Sequence, residues 1–383
     1  MGKITRYLQT KVWNDARPSV ARLPILAALS GLAAVYKGVQ KLHSRAYRSG
    51  WLPVRTLPCT VISIGNLSAG GTGKTPMTAY VARLCRRNGY AAVVLSRGYR
   101  GRAEHSGGVV SDGRTVLMTP ETAGDEPFML ATALDGIPVI VGSSRYRSGQ
   151  LALDRFRPDV LILDDGFQHL KLKKNLNILL LDGRRPFGNG RLLPRGILRE
   201  PPAAVRRADA VVLTRTDSAG GISDDAGAGA GDKPVFHAVH QPWIVGRLPA
   251  GERPEAVDIG GGRGPADPEI FSRRRVFAFS GIARNASFRQ GIRQMSGKIV
   301  GHRDFPDHFA YQEGDLAAVG RAALTAGADC LATTAKDFVR LRHRSALPLE
   351  LVVVDVRMAF ADDRFDTFLT DQLARIVQVP KRS

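Results

Sequence analysis

Cysteine is scarce: Cys59, Cys85 and Cys330 are widely separated, with no CxxC pair and no Cys/His spacing suited to zinc. A disulfide-stapled scaffold and a zinc module are therefore excluded, and the thiols are expected to be reduced core side chains in a reducing compartment. Acidic residues are also in deficit. The 35 Asp and Glu face 55 Lys and Arg, a net charge of +20 that should attract polyanions or an anionic membrane. Nucleic acid lacks the accompanying signals, since no RRM or helix-turn-helix signature occurs and the aromatics, 7% of the chain, do not interleave with the basic stretches. Met1–Pro24 has no compact apolar segment followed by a small-residue cleavage site, which argues against a secretory signal. Hydrophobic residues at 44%, with 41 Gly and 22 Pro, mark a globular chain, and 383 residues allow two or three domains.

The first 57 residues hold ten Lys or Arg against one acid, Asp15. Within this arm the uncharged run Leu23–Tyr36 is 14 residues long, short of the roughly 20 that a membrane-spanning helix needs. Ile25, Leu29, Leu32, Ala33 and Tyr36 share one helical face, flanked by Arg22, Lys37, Lys41 and Arg45. Two readings follow: an amphipathic helix lying in a membrane interface, or a core helix packed on the domain behind it.

From Thr60 onward short apolar runs alternate with helical stretches: TVISIG, AAVVLS, PVIVG, DVLILDD, NILLLD and ADAVVLT. Buried β runs separated by helices predict an α/β fold with a doubly wound, mostly parallel sheet. The composition then changes. Residues 217–271 read as a Gly/Pro-rich linker with connecting strands, and RRVFAFSGI, CLATTAKDF and LELVVVDV predict a smaller α/β domain over 272–383. The expected division is thus an arm (1–57), a core (58–216), a linker and a C-terminal domain.

Ser68–Thr75 reads SAGGTGKT, after an apolar strand and before a helix-like stretch, and departs from GxxxxGK[ST] only in Ser68. In such a P-loop, backbone N–H groups from Ser68, Ala69, Gly70, Gly71, Thr72 and Gly73 converge on phosphate, Lys74 reaches the β and γ phosphates, and Thr75 ligates Mg²⁺. The strand VLILDD ends in Asp164 and Asp165, either of which can place a carboxylate beside that metal. Asp125 in GDEP precedes a helix-like stretch and reads either as its N-cap or as a catalytic base. Residues 182–207 carry seven Arg against Asp182 and Glu200, and Lys171, Lys173 and Lys174 either meet lipid phosphate or solvate a surface. Partition ATPases carry a Lys where Ala69 stands, and no NKxD-type guanine motif occurs.

GNLSAGGTGKTP, SRGYRG, GDEP, DDGFQH and GNGRLLPRGILREP, followed by FSGIARNASF, FPDHFAY and TTAKD, together resemble the tetraacyldisaccharide 4′-kinase family of lipid A biosynthesis. The resemblance covers nearly everything after the arm, with Asn285, Ala286, Phe309 and Ala335 as local departures. It implies a P-loop NTPase-like kinase that uses ATP and Mg²⁺ to phosphorylate the 4′-hydroxyl of a lipid disaccharide 1-phosphate, giving the 1,4′-bisphosphate. It further implies work at the anionic cytoplasmic face of the bacterial inner membrane, with no nucleic acid and no obligate protein partner. By the same resemblance Asp125 is the base and His308 its partner, Arg199 stabilises the transferring phosphate and Glu200 supports the metal; Gln168 and His169, just after Asp164 and Asp165, are candidates to stand behind the site. With Asp125 in the core and His308 in the C-terminal domain, the pair is expected to form by domain closure. The rival reading is a membrane-recruited P-loop ATPase switch acting through protein partners.

Overall fold

The computed structural model describes residues 12–13, 22–216, 230–254, 268–341 and 344–377. Residues 217–229 and 255–267 of the expected linker and the first part of the arm lie outside the described residues. In chain order the described elements are α1 (Leu23–Arg48), β1 (Thr60–Asn66), α2 (Lys74–Arg87), β2 (Ala92–Ser96), β3 (Gly108–Ser111), α3 (Asp125–Ala133) and β4 (Val139–Val141). There follow α4 (Arg145–Phe156), β5 (Val160–Asp164), β6 (Leu176–Asp182), β7 (Ala210–Thr214) and β8 (Val235–Leu248). The last are β9 (Arg275–Ser280), α5 (Asn285–Gln294), β10 (Lys298–Asp304), α6 (Glu313–Thr325), β11 (Cys330–Thr334), β12 (Leu351–Phe360) and α7 (Arg364–Ile376).

These elements form two compact units, one from Gly2–Arg97, Gly142–His240 and Met358–Ser383, the other from Gly98–Val141 and Gln241–Arg357. The division differs from the contiguous one that composition suggested. Composition sees neighbours in sequence, whereas the packing is non-local: Met129 of α3 lies against the cluster of Phe279, Phe305, Tyr311 and Phe338.

In the first unit β1 lies between β5 and β6, β2 flanks β5, and β7 and the start of β8 follow β6, every pairing being parallel. All residues of β1, β5 and β7 are buried, as expected of strands covered on both faces. Their carboxyl ends therefore open together beside β1, the place where doubly wound sheets bind ligands. The chain returns at its end to close this unit. Phe365 of α7 is fully buried, stacked on Phe360 at 4.5 Å and meeting Phe236 edge-on at 5.2 Å, a contact whose loss in Phe365→Ala would cost roughly 3–5 kcal/mol.

The helix α1 also belongs to the first unit and runs 26 residues, nearly twice the uncharged run, long and apolar enough by length and composition to cross a membrane. The expected single apolar face is divided. Leu26 and Ala33 are buried and Tyr36 packs against the buried cluster that includes Leu67, Phe167 and Leu198, whereas Ile25, Leu32, Val35, Val39 and Leu42 are exposed. Trp51, just beyond the helix, is 81% exposed.

In the second unit β10, β9, β11 and β12 pair in parallel and β3 pairs antiparallel with β4. A capping box between Gln312 and Asp315 starts α6. Thr334 accepts from the Asp337 N–H to start the helical turn Ala335–Phe338. The three cysteines are unpaired; burial pushes Cys59 and Cys330 up to about 11 and Cys85 to about 12, so they stay thiols.

Candidate active site

The loop after β1 is held at its entrance by backbone. Ala69 N–H donates to the Ile197 carbonyl at 2.7 Å and Arg199 N–H to the Leu67 carbonyl at 2.7 Å. The segment ending in LPRGILRE is thereby laid along the loop, and Tyr36 of α1 donates its hydroxyl to the Arg199 carbonyl at 3.0 Å. Ser68 and Thr72 are buried while Gly70 and Gly71 face open space. Asn66 Nδ2 donates to Thr72 Oγ1 at 2.8 Å, and Lys74 Nζ to Asn66 Oδ1 at 3.4 Å. Gly73 has φ +86, and a Cβ there would stand 2.2 Å from His240 Nε2. The left-handed backbone and the close approach both demand glycine at the point where α2 begins with Lys74 and Thr75.

Asp164 and Asp165 have different surroundings. Asp164 accepts from Thr78 Oγ1 at 3.0 Å and Ser96 Oγ at 3.2 Å. Asp165, at φ 52, has Oδ2 paired with Arg199 Nη1 at 2.8 Å and Oδ1 3.7 Å from Lys74 Nζ. Burial alone would raise the Asp165 carboxyl, but Lys74, Arg199 and Arg145 outweigh it and hold it below the ordinary value. Its Oδ1 is buried and accepts no hydrogen bond among the described residues. A buried anionic oxygen without a donor, near the first turn of a helix that carries Thr75, suits a divalent cation held with nucleotide phosphate.

The other sequence-derived candidates divide. Arg199 joins this group, but Glu200 is buried and paired with Arg207 at 2.7 Å. Among the described residues no cluster of three or more His, Cys, Asp or Glu is suited to hold a metal ion. Gln168 donates to the Asn66 carbonyl at 2.8 Å. His169 is pushed down to about 4 by burial and by Arg145, Lys174, Lys171 and Arg97, so it is neutral at pH 7. Lys174 turns inward and donates to the Gly166 and Phe167 carbonyls at 2.9 and 3.0 Å, so of the two readings offered for its charge neither fits. Lys171 lines a cavity of about 560 Å³ with Tyr47, Arg55, Tyr146, Arg147 and His169.

Asp125 and His308 are brought together, both within the second unit. Gly124, not Asp125, occupies the N-cap position of α3, and Asp125 is its first residue. Its Oδ2 lies 3.2 Å from His308 Nδ1 and accepts from Arg340 Nη2 at 2.6 Å and Nε at 3.0 Å. Burial opposes ionisation, yet the His308 hydrogen bond and the Arg340 guanidinium prevail and hold the carboxyl at about 2. The N-cap reading therefore fails, and the pair forms without movement of one unit onto the other. Asn285 is accommodated: its Oδ1 accepts from Ser280 Oγ at 2.8 Å and its Nδ2 donates to the Phe305 carbonyl at 3.3 Å. Phe309 packs on Phe305 with ring centroids 4.7 Å apart.

Sequence reasoning missed Arg340, Lys336, Asn66, Arg145 and Arg215. Arg145 donates to the Asp164 carbonyl at 3.2 Å, and Arg215 pairs with Asp182 at 2.6 Å and donates to the Gly71 carbonyl. Lys336 was visible in TTAKD and Arg340 lies four residues on, the spacing that places two side chains on one helical side.

A β-strand, Gly-rich loop, Lys-Thr and helix at the carboxyl edge of a parallel sheet, faced by a carboxylate and an arginine, define a P-loop nucleotide-binding protein. The profile of the LpxK family, tetraacyldisaccharide-1-P 4′-kinase, matches residues 25–374. The tetraacyldisaccharide 4′-kinase of Syntrophus aciditrophicus is 40% identical over 91% of this chain and 93% of its own. That of Geobacter metallireducens is 44% identical over 83% and 89%. The crystal structure of LpxK from Aquifex aeolicus in complex with ATP covers 92% of this chain and 99% of its own, with 30% identity and a TM-score of 0.71. The chain belongs to the tetraacyldisaccharide-1-P 4′-kinase family.

Proposed function

We infer that the chain is an ATP-dependent lipid kinase that phosphorylates the 4′-hydroxyl of tetraacyldisaccharide 1-phosphate, releasing ADP and the 1,4′-bisphosphate. Family membership together with an intact phosphate loop carries this reading. Backbone N–H groups of residues 70–73 and the start of α2 bind the phosphates, the Ala69 N–H expected among them being taken by the Ile197 carbonyl, and Lys74 neutralises the β and γ oxygens. Asp165 and Thr75 would hold Mg²⁺, which supplies charge neutralisation to the same oxygens when bound. Arg199 can leave Asp165 for the transferring phosphoryl group.

Asp125 serves the acceptor. Among the described residues its side-chain partners meet Oδ2, which leaves Oδ1 to accept the hydroxyl proton as the sugar oxygen bonds to the γ phosphorus and the bond to the β-phosphate oxygen breaks. Little proton transfer is needed early in a loose transition state, so a weakly basic carboxylate suffices. Glu200, buried and bound to Arg207 next to Arg199 in the chain, supports a role in holding the segment that carries Arg199.

The helix α1 supports attachment to the cytoplasmic face of the inner membrane. One side is committed to the first unit, while Ile25, Leu32, Val35, Val39 and Leu42 are open with Lys37, Lys41 and Arg45 nearby. A helix with one face on protein and one apolar face free lies in the interface, and Trp51 suits that depth. The basic cavity with Arg55, Arg147 and Lys171 supports recognition of an anionic headgroup.

The test is incubation of the pure protein with labelled ATP, Mg²⁺ and the lipid disaccharide 1-phosphate, followed by chromatography of the lipid. Label in a lipid bisphosphate is expected. ATP consumption at the same rate without the acceptor, and no labelled lipid, would instead establish an ATPase switch.

A further inference from the structure

Both nitrogens of the His308 ring are engaged. Nδ1 stands 3.2 Å from Asp125 Oδ2 and 3.0 Å from Arg340 Nη2, and Nε2 stands 3.2 Å from Lys336 Nζ. A neutral imidazole carries one N–H and one lone pair, a carboxylate only accepts and an ammonium only donates. One arrangement satisfies all three groups: the N–H on Nδ1 donates to Asp125, and the lone pair on Nε2 accepts a hydrogen bond from Lys336. The reverse tautomer aims an N–H at an ammonium and a lone pair at a carboxylate. An N–H on Nε2 would in every case point at the N–H groups of Lys336. Arg340 does not disturb this assignment, because Nη2 lies closer to Asp125, at 2.6 Å.

The backbone around Lys336 is fixed by the rest of TTAKD. Thr334 Oγ1 donates to Asp337 Oδ2 at 2.6 Å and the Gly281 N–H donates to the same oxygen at 3.0 Å. The Gly281 carbonyl in turn accepts from the His308 N–H at 3.1 Å. A Cβ on Gly281 would stand 3.0 Å from the Pro306 carbonyl oxygen and 3.1 Å from Asp337 Oδ1. His308 itself has φ 60, a left-handed backbone that this frame sustains. Asp307 Oδ1 holds the ammonium at 3.2 Å, while its Oδ2 stands 3.9 Å from His308 Nε2, beyond hydrogen-bond distance, so Lys336 remains the nearer partner of that nitrogen.

We propose that Lys336 is a positioning residue that fixes His308 in the Nδ1–H tautomer, so that His308 occupies Asp125 Oδ2 and Oδ1 remains the proton acceptor. The proposal rests on the reading of Asp125 and His308 given above for the reaction, but its structural half can be tested without turnover.

The experiment uses the full chain labelled with ring-¹⁵N histidine, with a His308→Gln spectrum to assign the His308 signals. The wild type is expected to show a protonated-type Nδ1 and a lone-pair-type Nε2. Lys336→Met should move these signals toward the other tautomer and lower kcat about 10- to 100-fold, the scale for losing an outer hydrogen-bond partner of a functional imidazole. The KM for ATP should stay within about twofold, and Lys336→Arg should restore the tautomer and most of the rate. A wild-type ring protonated at Nε2, or a Lys336→Met ring unchanged from wild type, would overturn the proposal. If Lys336→Met does not fold, the wild-type spectrum still decides. A fully active Asp125→Asn enzyme with the Nδ1–H tautomer intact would defeat the base assignment and leave the tautomer assignment standing.

Discussion

Replacing Asp125 by Asn removes one charge and leaves the shape of the side chain, so it separates chemistry from packing. The Asp125 carboxyl is held at about 2 against an ordinary 3.8, and at 1.36 kcal/mol per unit this corresponds to about 2 kcal/mol of stability. Because the folded value is the lower one, the contribution is fully present above pH 3.8 and is lost as pH falls through about 2. The stability deficit of Asp125→Asn should therefore be about 2 kcal/mol at neutral pH and shrink toward zero as wild type and variant are both taken through that acid window. The kinetic effect is larger. Loss of the proton acceptor should lower kcat about 10²- to 10⁴-fold, roughly 3–5 kcal/mol in the barrier, with little change in the KM for ATP. His308→Ala should overlap with it, so that the double variant is scarcely slower than the worse single one. Since the 3.2 Å contact exists within one unit, a coupling of about 0.5–3 kcal/mol should also appear in denaturation without substrate. Label transfer and denaturant melts on the same preparations measure both quantities. A destabilised Asp125→Asn enzyme of normal kcat, or additive effects in both assays, would refute the reasoning.

Lys74→Ala should abolish detectable transfer while circular dichroism and the melting temperature stay near wild type, because Lys74 meets only Asp165 and Asn66 among the described residues. Lys174 is lowered to about 7 by burial and by Arg207, so the unfolded chain binds the extra proton between pH 7 and 10.5 and stability should rise with pH across that window. The wild-type-minus-variant difference for Lys174→Met in pH-dependent melts isolates that slope, and equal slopes would disprove it. Ile25, Leu32 and Val39 changed together to Ser should reduce sedimentation with anionic liposomes about tenfold or more without lowering the melting temperature. Unchanged pelleting would place the attachment elsewhere.

The phosphate loop was legible in the sequence because every part of it is local. Strand, Gly-rich turn, Lys74-Thr75 and helix follow one another, and the end of β5 presents Asp164 and Asp165 by the same logic. Choosing Asp165 over Asp164 was not legible, because it depends on Arg199 reaching across 34 residues. Arg340 eluded sequence reading for a similar reason: nothing near it in the chain signals a carboxylate 215 residues away. Glu200 and Lys174 show the complementary failure, in which a charge placed correctly in sequence turns to an internal partner. Arg207 takes the first, and two backbone carbonyls take the second. Composition identified an apolar arm helix but could not say which half of its surface the protein covers, since that depends on Tyr36 finding the Arg199 carbonyl.

The interleaved division of the chain bears on how the molecule is made. The second unit lacks Asp125 and its helix unless Gly98–Val141 is present, and it ends only at Arg357; the first needs Met358–Ser383, with Thr60 hydrogen-bonded to the Ile376 carbonyl 316 residues away. Neither unit can be completed by a nascent chain until the residues up to Arg357, and for the first unit those beyond it, have left the ribosome. High contact order of this kind slows folding and keeps apolar surface exposed during synthesis. Expression of residues 272–383 alone should accordingly yield an aggregating fragment.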